Sequence, residues 1–254
     1  MVKTIAIANH KGGVAKTTTS VNLGAALVEL GRRVLLVDLD PQCNMTETLS
    51  SREHDDTVYK AMLEGRGVPL VSLRPGLDLV PGDKGMLQAD VMLSTDAYAS
   101  RAQMLLKEAL KPVRKDYDFI IIDCPPSRNI LTVNALVAAD EVIIPSLSEI
   151  LAVRGMKDMS VLIDMVKEKL NPSLKIAGLL LVMFGDRTTA SRQTAVYIES
   201  IAGFLGTKLF KTRIRKNVAV VESQMAGSDI FVTNKAAKAA QDYLDLAREY
   251  LCEE

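Results

Sequence analysis

The residues best placed to do chemistry are Lys11-Gly12-Gly13-Val14-Ala15-Lys16-Thr17-Thr18, which follow a short apolar run and open a helical pattern. Glycines let backbone N–H groups close on phosphate oxygens, and a helix N-terminus adds partial positive charge. In such a loop Lys16 reaches the β- and γ-phosphates of a nucleotide, and the Thr17 hydroxyl ligates Mg2+. The strict pattern Gly-x-x-x-x-Gly-Lys-[Ser/Thr] fails twice, because His10 stands at its first glycine and Ala15 at its last. What stands instead is a lysine opening the loop, a Gly-Gly pair and Lys-Thr-Thr. Carboxylates supply the second set of candidates: Asp38 and Asp40 in Asp38-Leu39-Asp40-Pro41-Gln42, and Asp123 in Asp123-Cys124-Pro125-Pro126. Each set closes an apolar run, and a carboxylate at the end of a buried strand is costly unless it is paired or metal-associated.

The elements that must position these residues are short and apolar throughout. Val2 to Ala8, Val34 to Val37, Phe119 to Ile122, Glu141 to Ile144 and Ile176 to Phe184 read as strands. Thr17 to Leu30 carries apolar residues at helical spacing and stops at Gly31. Strands that are apolar on both faces and alternate with helices predict an α/β fold: one doubly wound, mainly parallel sheet with helices on both faces. Ligands sit beyond the carboxyl ends of such strands, which is where Asn9–Lys16, Asp38–Asp40 and Asp123 fall. With no repeat, linker or composition break, residues 1–254 read as a single domain. Residues 51–100 are the least readable stretch, with Arg52-Glu53-His54-Asp55-Asp56 as a solvated loop.

Composition excludes several function classes. The chain has 254 residues, 48% hydrophobic and 24% charged, near the globular average of about 45–50% and 25%. Thirty-one basic and 31 acidic residues cancel, so a nucleic-acid site must be a local patch. Cys43, Cys124 and Cys252 lack disulfide or zinc spacing, which fits a reducing cytoplasm. Cys43 and Cys124 read as buried thiols. The longest apolar run, Ala177 to Phe184, falls far short of the about 18 residues of a membrane span. No signal peptide is read at the N-terminus.

The loop resembles the deviant Walker A motif of the ParA/MinD family of ATPases, Lys-Gly-Gly-x-x-Lys-Thr-[Thr/Ser]. The resemblance covers nearly the whole chain. It implies a P-loop fold, ATP and Mg2+ as ligands, and slow, partner-stimulated hydrolysis. It gives residues 11–18 (Lys11, Gly12, Gly13, Val14, Ala15, Lys16, Thr17, Thr18) the phosphates, and Thr17, Asp40 and Asp123 the magnesium. Asp40 is expected to orient the attacking water, with Lys16 as a catalytic cation. Lys11 is expected to cross into the partner subunit's site, making ATP the ligand that closes a homodimer. Ala15 replaces the commoner glycine and is expected to be tolerated at an ordinary φ. Thr212-Arg213-Ile214-Arg215-Lys216-Asn217-Val218 is similar to the family's adenine-packing segment, with Asn217 at a base-contact position and Arg215 replacing a proline. Ala219 and Leu147 also depart from the family's arginine and glutamine.

Residues 205–216 hold Lys208, Lys211, Arg213, Arg215 and Lys216 without an acid, +5 in a neutral chain, and Arg187 and Arg192 lie upstream. Members of the ParA branch bind DNA without sequence preference through basic residues in these regions. Arg187, Arg192, Lys211, Arg213, Arg215 and Lys216 are therefore the candidate contacts to nonspecific double-stranded DNA, through phosphate charge and not base edges. The resemblance implies a cytoplasmic, nucleoid-associated protein that segregates a chromosome or plasmid with a ParB-like activating partner. The alternatives are positioning of a protein cargo and a MinD-like membrane-associated regulator. The stretch from Gln241 on is acidic and would be repelled by anionic lipid, which disfavours the membrane.

Overall fold

Strands form where aliphatic and β-branched residues run without interruption. The computed structural model describes residues 2–93, 101–149, 152–185 and 189–252. Its strands are β1 (Lys3–Ile7), β2 (Val34–Asp38), β3 (Val71–Arg74), β4 (Leu77–Val80), β5 (Phe119–Asp123), β6 (Glu141–Ser146) and β7 (Lys175–Leu181). Its helices are α1 (Lys16–Glu29), α2 (Asn44–Leu49), α3 (Val58–Glu64), α4 (Ala89–Met92), α5 (Leu105–Leu110) and α6 (Ile130–Ala138). They continue with α7 (Ala152–Lys169), α8 (Thr189–Phe204), α9 (Val218–Met225), α10 (Ile230–Asn234) and α11 (Lys238–Leu251). The strands form one sheet in the order β3-β4-β2-β5-β1-β6-β7. All neighbours are parallel except the edge pair β3 and β4.

Side chains alternate across this sheet and feed two separate cores. Ala6, Leu35, Val37, Ile120 and Ile122 face one core with α3, α5, α6, α7 and α8. Ile5, Ile7, Leu36 and Ile121 face the other with α1 and α11. Both faces are covered, so β2 and β5 are buried at every residue and show no polar alternation. The expected fold class is the observed one. Among the unforeseen elements are the hairpin β3–β4 and the short helices α2 to α5, in a stretch without long periodic runs.

Two details of packing set up the carboxyl edge. Helix α1 lies against β2 so closely that a Cβ at Gly24 would come within 2.7 Å of Leu36 Cδ2. That contact fixes the direction from which α1 meets the end of β1. At the far side, residues 208–215 run along β7 as an irregular parallel extension. The Leu179 N–H donates to the Lys208 carbonyl, the Phe210 N–H to Leu179, and the Ile214 N–H to Leu181. Gly178 makes room for this segment, since a Cβ there would meet the Phe210 ring at 2.7 Å.

Candidate active site

The parallel registers bring the chemistry to one edge. Ile7 pairs with Asp123 across β1 and β5, and Asp38 pairs with Asp123 across β2 and β5. The loop 8–15 leaves β1, between β5 and β6, and feeds α1. Buried Asn9 pins its start: the Nδ2 donates to the Pro145 carbonyl (2.7 Å), and Oδ1 accepts from the Lys11 N–H (3.0 Å). Val14 is fully buried and anchors the loop from beneath. Gly13 has φ +72, and a Cβ there would meet nothing within 4 Å, so the cradle above it is open. Lys16 Nζ donates to the Lys11 carbonyl at 3.2 Å, curling the loop around its own ammonium.

The expectation of an ordinary φ at Ala15 is corrected. Ala15 has φ +55 and ψ 35, in the left-handed region, and it is the N-cap residue of α1. The loop must reverse there to aim its N–H groups inward, and an alanine bears that turn at a cost of about 1–2 kcal/mol. Packing around Val14 and Asn9 holds the strained residue in place.

The carboxylates are crowded and desolvated. The Thr17 hydroxyl donates to Asp123 Oδ2 at 2.6 Å, and the Ser20 hydroxyl lies 3.2 Å from Asp123 Oδ1. Burial pushes Asp123 up to about 8, and the Asp38 and Asp40 charges add to it. Burial also raises Asp38 to about 6, against hydrogen bonds from the Thr46 hydroxyl (2.6 Å) and N–H (2.8 Å). Burial lowers Lys16 from its ordinary value, opposed first by Asp123. Asp40 Oδ1 accepts from the Gln42 N–H at 2.9 Å. At this edge Asp38, Asp40 and Asp123 outnumber the Lys16 ammonium, and a cation beside Thr17 and Asp123 would offset the excess of acid. Among the described residues no group of three or more His, Cys, Asp or Glu is arranged to hold a metal alone. That suits magnesium, which is held by one or two carboxylates together with substrate phosphates. The donor set therefore fits Mg2+.

Two clefts meet above the loop. The phosphate cleft, about 420 Å3, is lined by residues 12–18 (Val14 excepted) and by Asp40. The second cleft, about 510 Å3 and mostly apolar, is walled by Met183, Ile214, Val218, Val221 and Tyr243, with Arg215 and Asn217 on its rim. Its size and apolar walls suit a purine.

The sequence pattern of the family described as AAA domain matches residues 2–176. The sporulation initiation inhibitor protein Soj of Bacillus subtilis is 41% identical over 254 residues, covering 98% of this chain and 98% of Soj. The chromosome partitioning protein ParA of Myxococcus xanthus is 38% identical over 253 residues, covering 97% of this chain and 87% of that protein. This chain belongs to the ParA/Soj family of partition ATPases. A solved structure of Mycobacterium smegmatis, titled cobyrinic acid a,c-diamide synthase with bound ADP and magnesium, superposes with a TM-score of 0.81 at 36% identity. It covers 98% of this chain and 93% of that one.

In this ParA/Soj-family chain the motif residues lie as follows. Gly12, Gly13, Ala15 to Thr18 and Asp40 line one cleft, Thr17 reaches Asp123 beneath it, and Cys43 and Cys124 are buried free thiols. Lys11 does not line the phosphate cleft; its ammonium pairs with Glu149 at 2.9 Å. Asn217 lines the base cleft while its side chain caps α9, accepting from the Ala219 N–H at 2.9 Å. Arg215, placed in both the base and DNA sets, lines the cleft, and its guanidinium forks onto Asp242 through Nε and Nη2, each at 2.7 Å. Lys211, Arg213 and Lys216 are exposed, and the Arg213 guanidinium lies 4.6 Å from the Phe184 ring centroid. Arg187 lies outside the described residues; Arg192 is on α8, with its side chain outside them.

Sequence reasoning placed Asn9 at the carboxyl edge without a role and missed Ser20, Thr46, Gln224 and Asp242. Asp242 left a signal, since it is an acid on the apolar stripe of α11 between Ala239 and Leu246. Gln224 left none: only the fold brings it over the loop, where its Nε2 donates to Thr18 Oγ1 at 3.2 Å.

Proposed function

We propose that this chain is an ATP-dependent molecular switch: a slow ATPase that closes as a homodimer around two nucleotides, grips nonspecific duplex DNA in that state, and positions a cargo. The chromosome or plasmid is the cargo this reading favours, with a ParB-like partner accelerating hydrolysis, in the cytoplasm and on the nucleoid. The whole described chain then acts as one ATPase domain. One observation carries the reading. The loop holds two lysines with opposite commitments, Lys16 curled into the cradle and Lys11 outside it on Glu149.

The chemistry follows from positioning and charge. Loop N–H groups and Lys16 hold the phosphates. Thr17 and Asp123 would hold the magnesium, which supplies charge neutralisation on the phosphates. Asp40, whose carboxylate stands at the cleft, orients a water for attack. With no strong base beside that water, turnover is slow until a partner organises the site. Lys11, leaving Glu149, completes the neighbouring subunit's site. Exposed Lys211, Arg213 and Lys216 meet DNA phosphates, each contact contributing about 0.9 to the salt slope.

The membrane alternative is less well supported. The apolar face of α11 is spent within the fold, with Tyr243, Leu246 and Tyr250 buried in the α1 core. Among the described residues no helix is long and apolar enough to cross a membrane.

The test is binding of Asp40→Ala protein to random-sequence duplex DNA with ATP or ADP across a salt series. Binding with ATP alone, weakening steeply with salt, is the expected result. No binding at low salt, with ATP shown to be bound, overturns the DNA reading; capture by anionic liposomes instead would favour the membrane alternative.

A further inference from the structure

The two clefts above the loop share a short stretch of wall made by Gly13, Ala15, Thr18 and Gln224. A nucleotide with its phosphates on the loop and its base in the apolar cleft must carry its ribose past that stretch. Among the described residues, Gly13 and Ala15 bring no polar side-chain atom to it. The side-chain polar groups of the junction are the Thr18 hydroxyl and the Gln224 carboxamide. They touch each other, Gln224 Nε2 donating to Thr18 Oγ1 at 3.2 Å. Thr18 belongs to the phosphate loop's own helix. Gln224 comes from α9, more than two hundred residues away, and its side chain is solvent-exposed.

A carboxamide offers a donor and an acceptor on one plane. A ribose offers two neighbouring hydroxyls, each able to donate and accept. No other group at the junction matches that pair. We propose that Gln224 is a specificity residue that reads the ribose hydroxyls of the bound nucleotide and so selects ribonucleotides over deoxyribonucleotides. The inference rests on the nucleotide-switch reading above and assigns it a sugar-reading group. A site that hydrogen-bonds a substrate hydroxyl rejects the analogue lacking it. Gln224 is exposed, so the discrimination is modest, the worth of one ordinary hydrogen bond.

The experiment compares equilibrium binding of ATP, 2′-deoxy-ATP and 3′-deoxy-ATP to the wild-type chain and to Gln224→Ala. The thermal midpoint of the variant checks its fold. The wild type is expected to prefer ATP over at least one deoxy analogue by about fivefold. Gln224→Ala is expected to bind all three within about twofold of one another, its loss falling on ATP. If Gln224 only latches α9 to the loop, the variant weakens all three nucleotides equally and the preference survives; that result overturns the proposal. So does a wild type that binds ATP and both analogues equally. A wild type that binds no adenine nucleotide overturns the nucleotide reading itself, and this inference with it.

Discussion

The phosphate edge and the base-and-basic edge of this molecule are built on different principles. At the phosphate edge, residues 9–18 do nearly everything, and the carboxylates arrive by strand register from β2 and β5. Each identity there answers to a chemical demand: a left-handed turn, an ammonium, a hydroxyl beside a carboxylate. At the other edge, residues 208–225 wall the base cleft by shape, and α11 holds them in place by charge. Asp242 accepts from the backbone and fork of Arg215, and Glu249 accepts from the Lys211 and Thr212 N–H groups at 2.7 and 2.8 Å. Backbone and apolar walls do not specify which side chain stands at each position. The family departures at Arg215 and Ala219 fall on this edge, whereas on the phosphate loop the family departure is Ala15.

The largest effect should come from the phosphate edge. Lys16→Ala removes the only ammonium inside the described part of the cradle. Nucleotide affinity should fall about 100-fold, the loss of a charge-assisted contact to phosphate. Turnover should fall to background while the far-UV circular dichroism spectrum stays native. An affinity loss below threefold would mean that the loop N–H groups alone carry the phosphates, and the contrast between the edges would collapse.

A smaller and different effect is expected from Asp242→Asn. Asp242 is 5% exposed and Arg215 about half exposed, so the pair is screened on one side only. Breaking it should cost about 1–2 kcal/mol in urea unfolding, since the freed guanidinium can turn to water. A double-mutant cycle with Arg215→Met should recover about 1 kcal/mol of coupling. In steady-state assays KM should rise and kcat should hold, because the base cleft loosens while the phosphate edge is untouched. A matching fall in kcat would show that the two edges are not separable.

The same contrast explains what the sequence disclosed. β1, β2, β5 and the loop were legible because fully buried parallel strands read as unbroken apolar runs, and because the loop's chemistry is contiguous. Asp38, Asp40 and Asp123 were legible because a polar residue closing such a run is conspicuous. The 208–215 extension was not. Its pairing with β7 uses alternate backbone groups of an irregular, charge-rich segment, with Lys208 and Arg213 laid over the rings of Phe210 and Phe184. Basic residues over aromatic faces carry no strand signature. Gln224 was illegible for a deeper reason, since its role depends on a contact spanning most of the chain. The φ of Ala15 was misjudged because residue type is a weak guide where surrounding packing forces the turn.

Ala15→Gly measures that strain on the phosphate edge. Glycine adopts φ +55 freely but loses more backbone entropy on folding, so the net gain should be about 0.5–1 kcal/mol. For a chain of this size that raises the thermal midpoint by about 2–4 °C. Affinity for ATP should stay within about twofold, because the loop is already held in the turned shape. A gain in affinity without a gain in stability would mean that the methyl group obstructs the ligand and the backbone is relaxed.

The smallest effect lies in the acid clamp on the basic segment, and its signature is pH. Burial pushes Glu249 up, but the Thr212 and Lys211 hydrogen bonds and the Lys208 charge outweigh it and hold the carboxyl below its ordinary 4.5. A carboxylate lowered by folding stabilises the folded chain above its unfolded pKa, and that stabilisation is lost as pH falls through the folded value. Glu249 is partly exposed, so the contribution is about 0.5 kcal/mol at neutral pH. Urea midpoints of the wild type and Glu249→Gln should therefore differ slightly at pH 7 and converge as the pH is taken below 4.5. A difference that persists unchanged in acid would assign the clamp to neutral hydrogen bonds and packing. The base-and-basic edge would then resemble the phosphate edge in being held by local geometry and not by charge from α11.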